Sequence, residues 1–283
     1  MAEYFILSDR SWLWAGTLLY TLGFLFGLTA LLRGKRPSQA KLFAIVLAGF
    51  VLQTIGLYAR GLEVGSCPLG NTFEITQFVV WSLVLLYMAV GPVFRMSLLG
   101  FFASGLAAVL GLVSLSVIDW DGERKAHVFG PNLWIELHAS LAIFSYGIFA
   151  ILALTCIMYL VQNNSLKRKK MKGLSPFLPS ILQLDQMILR LLTTGVIILT
   201  FSLILGSFYW FKNLDSVNWP KLTVTIAIWI AYLILASLRL QRRVVAHTLA
   251  WTCILLFLIT LASIWPVASS SFQTTASISL LLR

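Results

Sequence analysis

Eight stretches of mostly apolar residues, each bounded by charge, proline or asparagine, constrain this chain more than any other feature. They cover residues 12–32, 42–59, 74–90, 96–118, 133–161, 187–211, 222–240 and 248–267. About 20 residues rising 1.5 Å each cross a hydrocarbon core of roughly 30 Å. In lipid only a helix satisfies its backbone hydrogen bonds within one segment, so each window is predicted helical. The expected class is therefore all-α, a polytopic bundle of eight transmembrane helices. Composition supports this reading: 59% hydrophobic and 11% charged residues exclude a soluble globular domain.

Charge placement sets the expected orientation. Arg33, Lys35, Arg36 and Lys41 lie between spans one and two, and Arg95 between three and four. Lys167, Arg168, Lys169, Lys170 and Lys172 lie between five and six, and Arg239, Arg242 and Arg243 between seven and eight. All acidic residues but Asp185 fall on the opposite side. By the positive-inside rule both termini are expected outside. The net charge of +11 is thus a topology signal, and a nucleic-acid partner is rejected. The partner it implies is the lipid bilayer. The first 11 residues, with Glu3 and Asp9, lack the basic start of a cleaved signal peptide, so span one is expected in the mature protein.

A membrane domain over 1–268 is expected, with five helices over 12–161, a basic inner linker over 162–186 and three helices over 187–267. The Ser/Thr-rich residues 269–283 are read as a disordered tail.

Three cysteines without C-x-x-C spacing exclude a zinc ribbon, a dithiol redox motif and a covalent haem tether. Cys67 stands alone on the outer side, and Cys156 and Cys253 fall in the inner halves of spans five and eight, so no internal disulfide is expected. Walker, H-E-x-x-H and G-x-S-x-G motifs are missing from the sequence, as are mid-span carboxylates and lysines. Enzyme chemistry of the soluble type and ion-coupled transport are both disfavoured.

Histidine is the remaining ligand type. His138 lies about one turn inside the outer end of span five, with Ser145 seven residues on along the same face. It reads either as an interfacial histidine bonded to a neighbouring helix or as an axial ligand. His127 falls in the charged outer loop, and His247 opens span eight beside Arg242 and Arg243. Trp120, Trp134, Trp210, Trp219 and Trp265 gather at outer ends, as an aromatic belt or as stacking surfaces beside a macrocycle. In Cys67-Pro68-Leu69-Gly70-Asn71-Thr72-Phe73-Glu74, Asn71 or Thr72 can cap span three with Glu74 in its first turn. The same residues can instead line an outer cavity.

These segments together resemble the CcsA/ResC branch of the cytochrome c assembly family. Pro68-Leu69-Gly70-Asn71-Thr72-Phe73-Glu74 resembles the family's P-L-S-N-x-Y-E. Leu137-His138-Ala139 with Phe144-Ser145-Tyr146 resembles its H-V followed by S-Y-A, and Leu184-Asp185 with Gly195 and Gly206 resembles the start and glycines of the next helix. The family's tryptophan-rich loop lies without gaps on Asn218 to Tyr232. Pro220, Lys221, Thr223, Trp229 and Tyr232 match it, while Trp219 and Leu222 replace its acids and Asn218 and Val224 two of its tryptophans. Ser237 stands where an inner histidine is expected, with Arg239 two positions on, and no histidine follows His247.

The resemblance implies a multi-pass haem-binding protein of cytochrome c biogenesis in a bacterial-type cytoplasmic membrane. It would hold non-covalent haem b at the outer face for attachment to apocytochrome c, with a CcsB-like membrane partner. His138 would ligate the iron, His127 or a partner's residue would supply a second ligand, Trp210 and Trp219 would form the stacking wall, and Glu74 with Asn71 the rim. No chemical step is assigned to the protein itself, and whether the wider system counts as an enzyme stays open. The missing histidines point also to the HemX-like relatives, which implies the alternative of a regulatory or structural protein of tetrapyrrole metabolism without stable haem.

Overall fold

A computed structural model describes residues 8–93, 98–122, 133–168, 175–210 and 219–281, with no side-chain account for 92, 93, 175, 209, 210, 220, 221 and 265–281. Among the described residues there are eight long helices and no strand: α1 (Asp9–Leu32), α2 (Gln39–Val64), α3 (Thr72–Val93), α4 (Leu99–Ser116), α5 (Leu133–Lys167), α6 (Ile181–Trp210), α7 (Trp219–Leu240) and α8 (Ala246–Leu281). Each contains a segment long and apolar enough to cross a membrane. Short 3-10 turns, Ile118–Asp121 and Ser175–Phe177, are the only other elements described.

Helix ends follow capping chemistry. Gly34, at φ +65°, donates to the Leu31 carbonyl while Lys35 donates to Ala30, which closes α1 in a Schellman motif. Arg243 and Arg242 close α7 in the same way, but the left-handed position there is Arg242, at φ +58°. Ser180 and Gln183 cap α6 reciprocally, each backbone N–H donating to the other's side chain. This cap starts α6 several residues before its apolar window, and polar residues carry α5 on to Lys167, so the linker is shorter than the hydropathy pattern implied.

Residues 269–281, expected as a disordered tail, instead continue α8 to Leu281. The segment contains neither glycine nor proline to break the helix.

Helices α1 to α4 pack on one another, and α5 bridges this group to α6 and α8 while α7 closes against both of the latter. α5 is the most buried span, and every residue from Ser145 to Cys156 is buried. Close approach explains two glycines. A Cβ at Gly147 would meet Ser82 Cβ of α3 at 2.5 Å, and one at Gly195 would meet the Phe149 ring at 2.4 Å. Phe149 stacks on Tyr232 of α7 at 3.8 Å between centroids and 3° between planes. Cys156 and Cys253 meet through a thiol–thiol hydrogen bond and remain free thiols.

A buried polar ladder ties α1 to α4. The Tyr20 hydroxyl donates to Gln53 Oε1 (2.8 Å), Gln53 Nε2 to Gln77 Oε1 (2.9 Å), and Gln77 Nε2 to Ser114 Oγ (2.8 Å). Ser114 passes its own proton to the Gly111 carbonyl at 2.9 Å. Each rung pairs groups that would otherwise be costly in an apolar interior.

Candidate functional site

The helices alternate in direction, so charge divides the bundle into two ends. Asp9, Glu74, Asp121 and Glu136 mark the acidic end, and Arg33, Lys167, Arg239, Arg242 and Arg243 the basic end. His138 lies in the second turn of α5 at the acidic end. Its Nδ1 is 2.7 Å from the Ser202 carbonyl oxygen of α6, and Ser202 Oγ donates to the His138 carbonyl at 2.8 Å. A carbonyl can only accept, so Nδ1 carries the proton and Nε2 is the basic nitrogen. Metal-ligating histidines are commonly oriented this way, by a backbone carbonyl on the opposite ring nitrogen.

Around His138 the packing changes. From Ile135 to Phe144 only Leu137 is exposed and no residue is fully buried, whereas every residue from Ser145 to Cys156 is buried. The first turns of α5 are thus less enclosed by protein than the segment that follows them.

Beside α5, Asn71 Oδ1 accepts from the Glu74 N–H (2.8 Å) and Glu74 Oε2 from the Gly70 N–H (2.6 Å), a cap that starts α3. Asn71 and Glu74 therefore do what helix capping requires. They also enter an ion cluster that the sequence reading missed. Arg60, fully buried near the end of α2, donates through Nε to Asp9 (2.6 Å) and through Nη1 and Nη2 to Asp121 (2.8 and 2.9 Å). Glu74 Oε1 is 3.5 Å from Arg60 Nη1, Asn71 Nδ2 3.5 Å from Asp121, and Arg10 bonds Asp121 at 3.1 Å. The Arg60 guanidinium also covers the Phe73 ring at 4.6 Å.

The preceding loop touches α5. The Cys67 N–H donates to Glu136, and the Ser140 hydroxyl lies 3.6 Å from Cys67 Sγ. Burial pushes the Cys67 thiol up from its usual range, with the Glu136 and Glu74 charges adding to the rise and the Ser140 hydrogen bond opposing it.

Of the residues singled out from the sequence, His138 joins Ser202, while Glu74 and Asn71 join Arg60 and Asp121. Trp219 opens α7 and is 60% exposed. His127 and the Trp210 side chain lie outside the described residues. At the basic end Arg239 Nη2 lies 2.6 Å from both Asp185 oxygens, tying the start of α6 to the end of α7. The lone acid on the basic side of the sequence was the signal for this pair. Arg60 left a weaker signal, because as the first charge after the second apolar window it read as a boundary.

Fold and site together define a polytopic helical membrane protein that presents one carbonyl-oriented histidine at its acidic end. Residues 69–270 match the model of the cytochrome c assembly protein family, so the chain belongs to that family. It is 29% identical over 201 residues to protein HemX of Brevibacillus brevis, covering 71% of this chain and 74% of that one. Against protein HemX of Bacillus subtilis the figures are 28% over 205 residues, 71% and 73%. It is 27% identical over 169 residues to cytochrome c biogenesis protein CcsA of Gloeobacter violaceus, covering 58% of this chain and 47% of that protein.

The donor set suits haem. Among the described residues no three His, Cys, Asp or Glu side chains gather as metal ligands. A porphyrin brings four nitrogens of its own, so the protein need supply only an axial imidazole, which His138 can provide.

Proposed function

We propose that this chain is a haem-binding membrane protein of cytochrome c biogenesis. Family membership supports the biogenesis role, and one observation supports the haem reading: the Ser202 carbonyl on His138 Nδ1, which holds the ring by one nitrogen and leaves Nε2 as the unprotonated, basic one. In this reading the acidic end faces outward from a bacterial cytoplasmic membrane and haem b sits there without a covalent tether. When bound, the haem supplies the porphyrin vinyl groups to which cytochrome c thiols become attached. His138 holds the iron, Ser202 orients His138, and the half-buried start of α5 shields one side of the ring. Trp219, exposed at the start of α7, and Trp210 are assigned to stacking, His127 or a partner's residue to the second axial position, and Glu74 with Asn71 to the rim. A CcsB-like membrane protein and apocytochrome c are the partners this role needs.

The test is the absorption spectrum of the chain purified in detergent. A Soret band in the wild type and its loss in His138→Ala support the proposal; a missing band, or one unchanged in the mutant, overturns it.

A second reading follows from Ser237, which bonds back to the Leu233 carbonyl of its own helix where the family expects an inner histidine. In that reading the chain acts in tetrapyrrole metabolism as a HemX-like regulatory or structural protein without stable haem. It predicts no co-purified pigment and altered tetrapyrrole levels in cells when the basic run from Lys167 to Lys172 is neutralised.

A further inference from the structure

Arginines within the spans are answered by carboxylates, with one exception. Arg60 bonds Asp9 and Asp121, and Arg239 bonds Asp185. Arg190 stands in the third turn of α6, inside the apolar window that begins at residue 187. It is exposed, and its side chain has no hydrogen bond or ion pair among the described residues. An ionised group inside a span is costly without a counter-charge, and such groups ordinarily face protein or a water-filled cavity.

Two neighbours share its situation. Gln186 and Thr194 lie one turn before and one turn after Arg190 on the same face, both exposed, and neither side chain bonds another described residue. Thr193 and Thr200, by contrast, bond back to carbonyls of α6 itself. Beyond Thr194 the face continues as Ile197, Phe201, Ile204 and Phe208, all exposed. From the basic end toward the bilayer centre it therefore offers amide, guanidinium and hydroxyl, then only bulky apolar groups.

That order matches an amphiphile lying along the helix. α6 starts at the basic end, and helical side chains lean toward the N-terminus of their helix. Arg190 thus leans over the Gln186 turn toward the headgroup layer while its methylenes stay in the apolar layer. It lies five residues, about 7.5 Å, further along the axis than Asp185. Both Asp185 oxygens are already held by Arg239, which leaves the Arg190 guanidinium to another anion.

A guanidinium fork suits phosphate oxygens. The cationic surroundings at this end, Lys167, Arg242 and Arg243 among them, favour a headgroup without a positive group of its own. A second copy of the chain fits less well. The sequence places no mid-span carboxylate that could answer Arg190, two copies meeting on this face would oppose like charges, and isoleucine and phenylalanine prevent the close helix approach that small residues permit.

We infer that the Gln186–Arg190–Thr194 face of α6 binds an anionic phospholipid of the leaflet at the basic end. Gln186 and Arg190 meet its phosphate, Thr194 its ester oxygens, and Ile197 and Phe201 an acyl chain. The site is independent of the haem reading.

The test places the full chain in nanodiscs of equal parts phosphatidylglycerol and phosphatidylcholine and counts the lipids retained on the released protein by native mass spectrometry. Wild type is expected to retain phosphatidylglycerol in preference. Arg190→Gln should lower that occupancy at least about fivefold while keeping its thermal midpoint in phosphatidylcholine alone. Lys41→Gln removes the same charge from the first turn of α2, in the other helix group, and should leave the preference intact.

A wild type without the preference, an Arg190→Gln protein that keeps it, or a Lys41→Gln protein that loses it to the same extent overturns the proposal. Should Arg190→Gln fail to fold, the double change Gln186→Leu with Thr194→Val decides: lowered occupancy supports the site and unchanged occupancy overturns it. A photoreactive benzoylphenylalanine in place of Gln186, irradiated in native membranes, is expected to gain only lipid-sized mass. A protein-sized adduct would mark this face as the seat of a partner helix and overturn the lipid assignment.

Discussion

Ser202 presents two groups to His138, and a side-chain substitution can remove only one of them. In Ser202→Ala the hydroxyl bond to the His138 carbonyl is lost while the backbone carbonyl on Nδ1 stays. One hydrogen bond is worth about 1 kcal/mol, so haem affinity is expected to fall roughly fivefold rather than vanish, measurable by haem titration. Cys67 gives a second prediction at this scale. Its raised pKa means that less thiolate is present at a given pH, so alkylation should keep accelerating at pH values where an exposed cysteine has already levelled off. His138 stood out in the sequence as a histidine just inside a span, and its bond to Ser202 of α6 is the contact with a neighbouring helix that one of its two sequence readings expected. Ser202 did not stand out, since one serine in an apolar helix looks like any other until packing shows what it faces.

At the level of helices, two sites report how tightly the elements are fitted. Gly147→Ala would press a methyl group on Ser82 Cβ at 2.5 Å and on the Leu83 backbone nitrogen at 3.0 Å, where α3 cannot yield cheaply. Such overpacking should lower stability by about 1–3 kcal/mol, read as a lower thermal midpoint in detergent. The opposite sign is expected for Arg242→Gly. Arg242 holds a left-handed backbone at the end of α7, a conformation that disfavours a side chain by about 1 kcal/mol, so glycine should raise the midpoint. The span count was readable because lipid leaves the backbone no alternative to helix. Helix ends were less readable, since the Ser180–Gln183 cap and the polar extension of α5 act outside the apolar windows that hydropathy detects. The Asp185–Arg239 pair was half visible: charge asymmetry marked the acid as exceptional, but only the fold shows that it answers an arginine 54 residues away.

For the whole molecule, the charge pattern makes an orientation testable with one added thiol. Val245, 71% exposed in the turn between α7 and α8, lies at the basic end. In cells, Val245→Cys should react with a membrane-impermeant maleimide only after the membrane is opened; labelling of intact cells would reverse the topology.

The glutamine ladder bears on how the protein is made. As the nascent chain inserts, Gln53 enters the lipid ahead of Gln77 and Ser114, so in the first hairpin Tyr20 can answer its Oε1 while its Nε2 donor waits for α3. A gene trimmed to begin where the family match begins would strand the later helices in the same way, with Gln77 facing the gap where Gln53 had been. Biosynthesis thus favours treating the first four helices as one unit, whatever boundary sequence similarity draws through them.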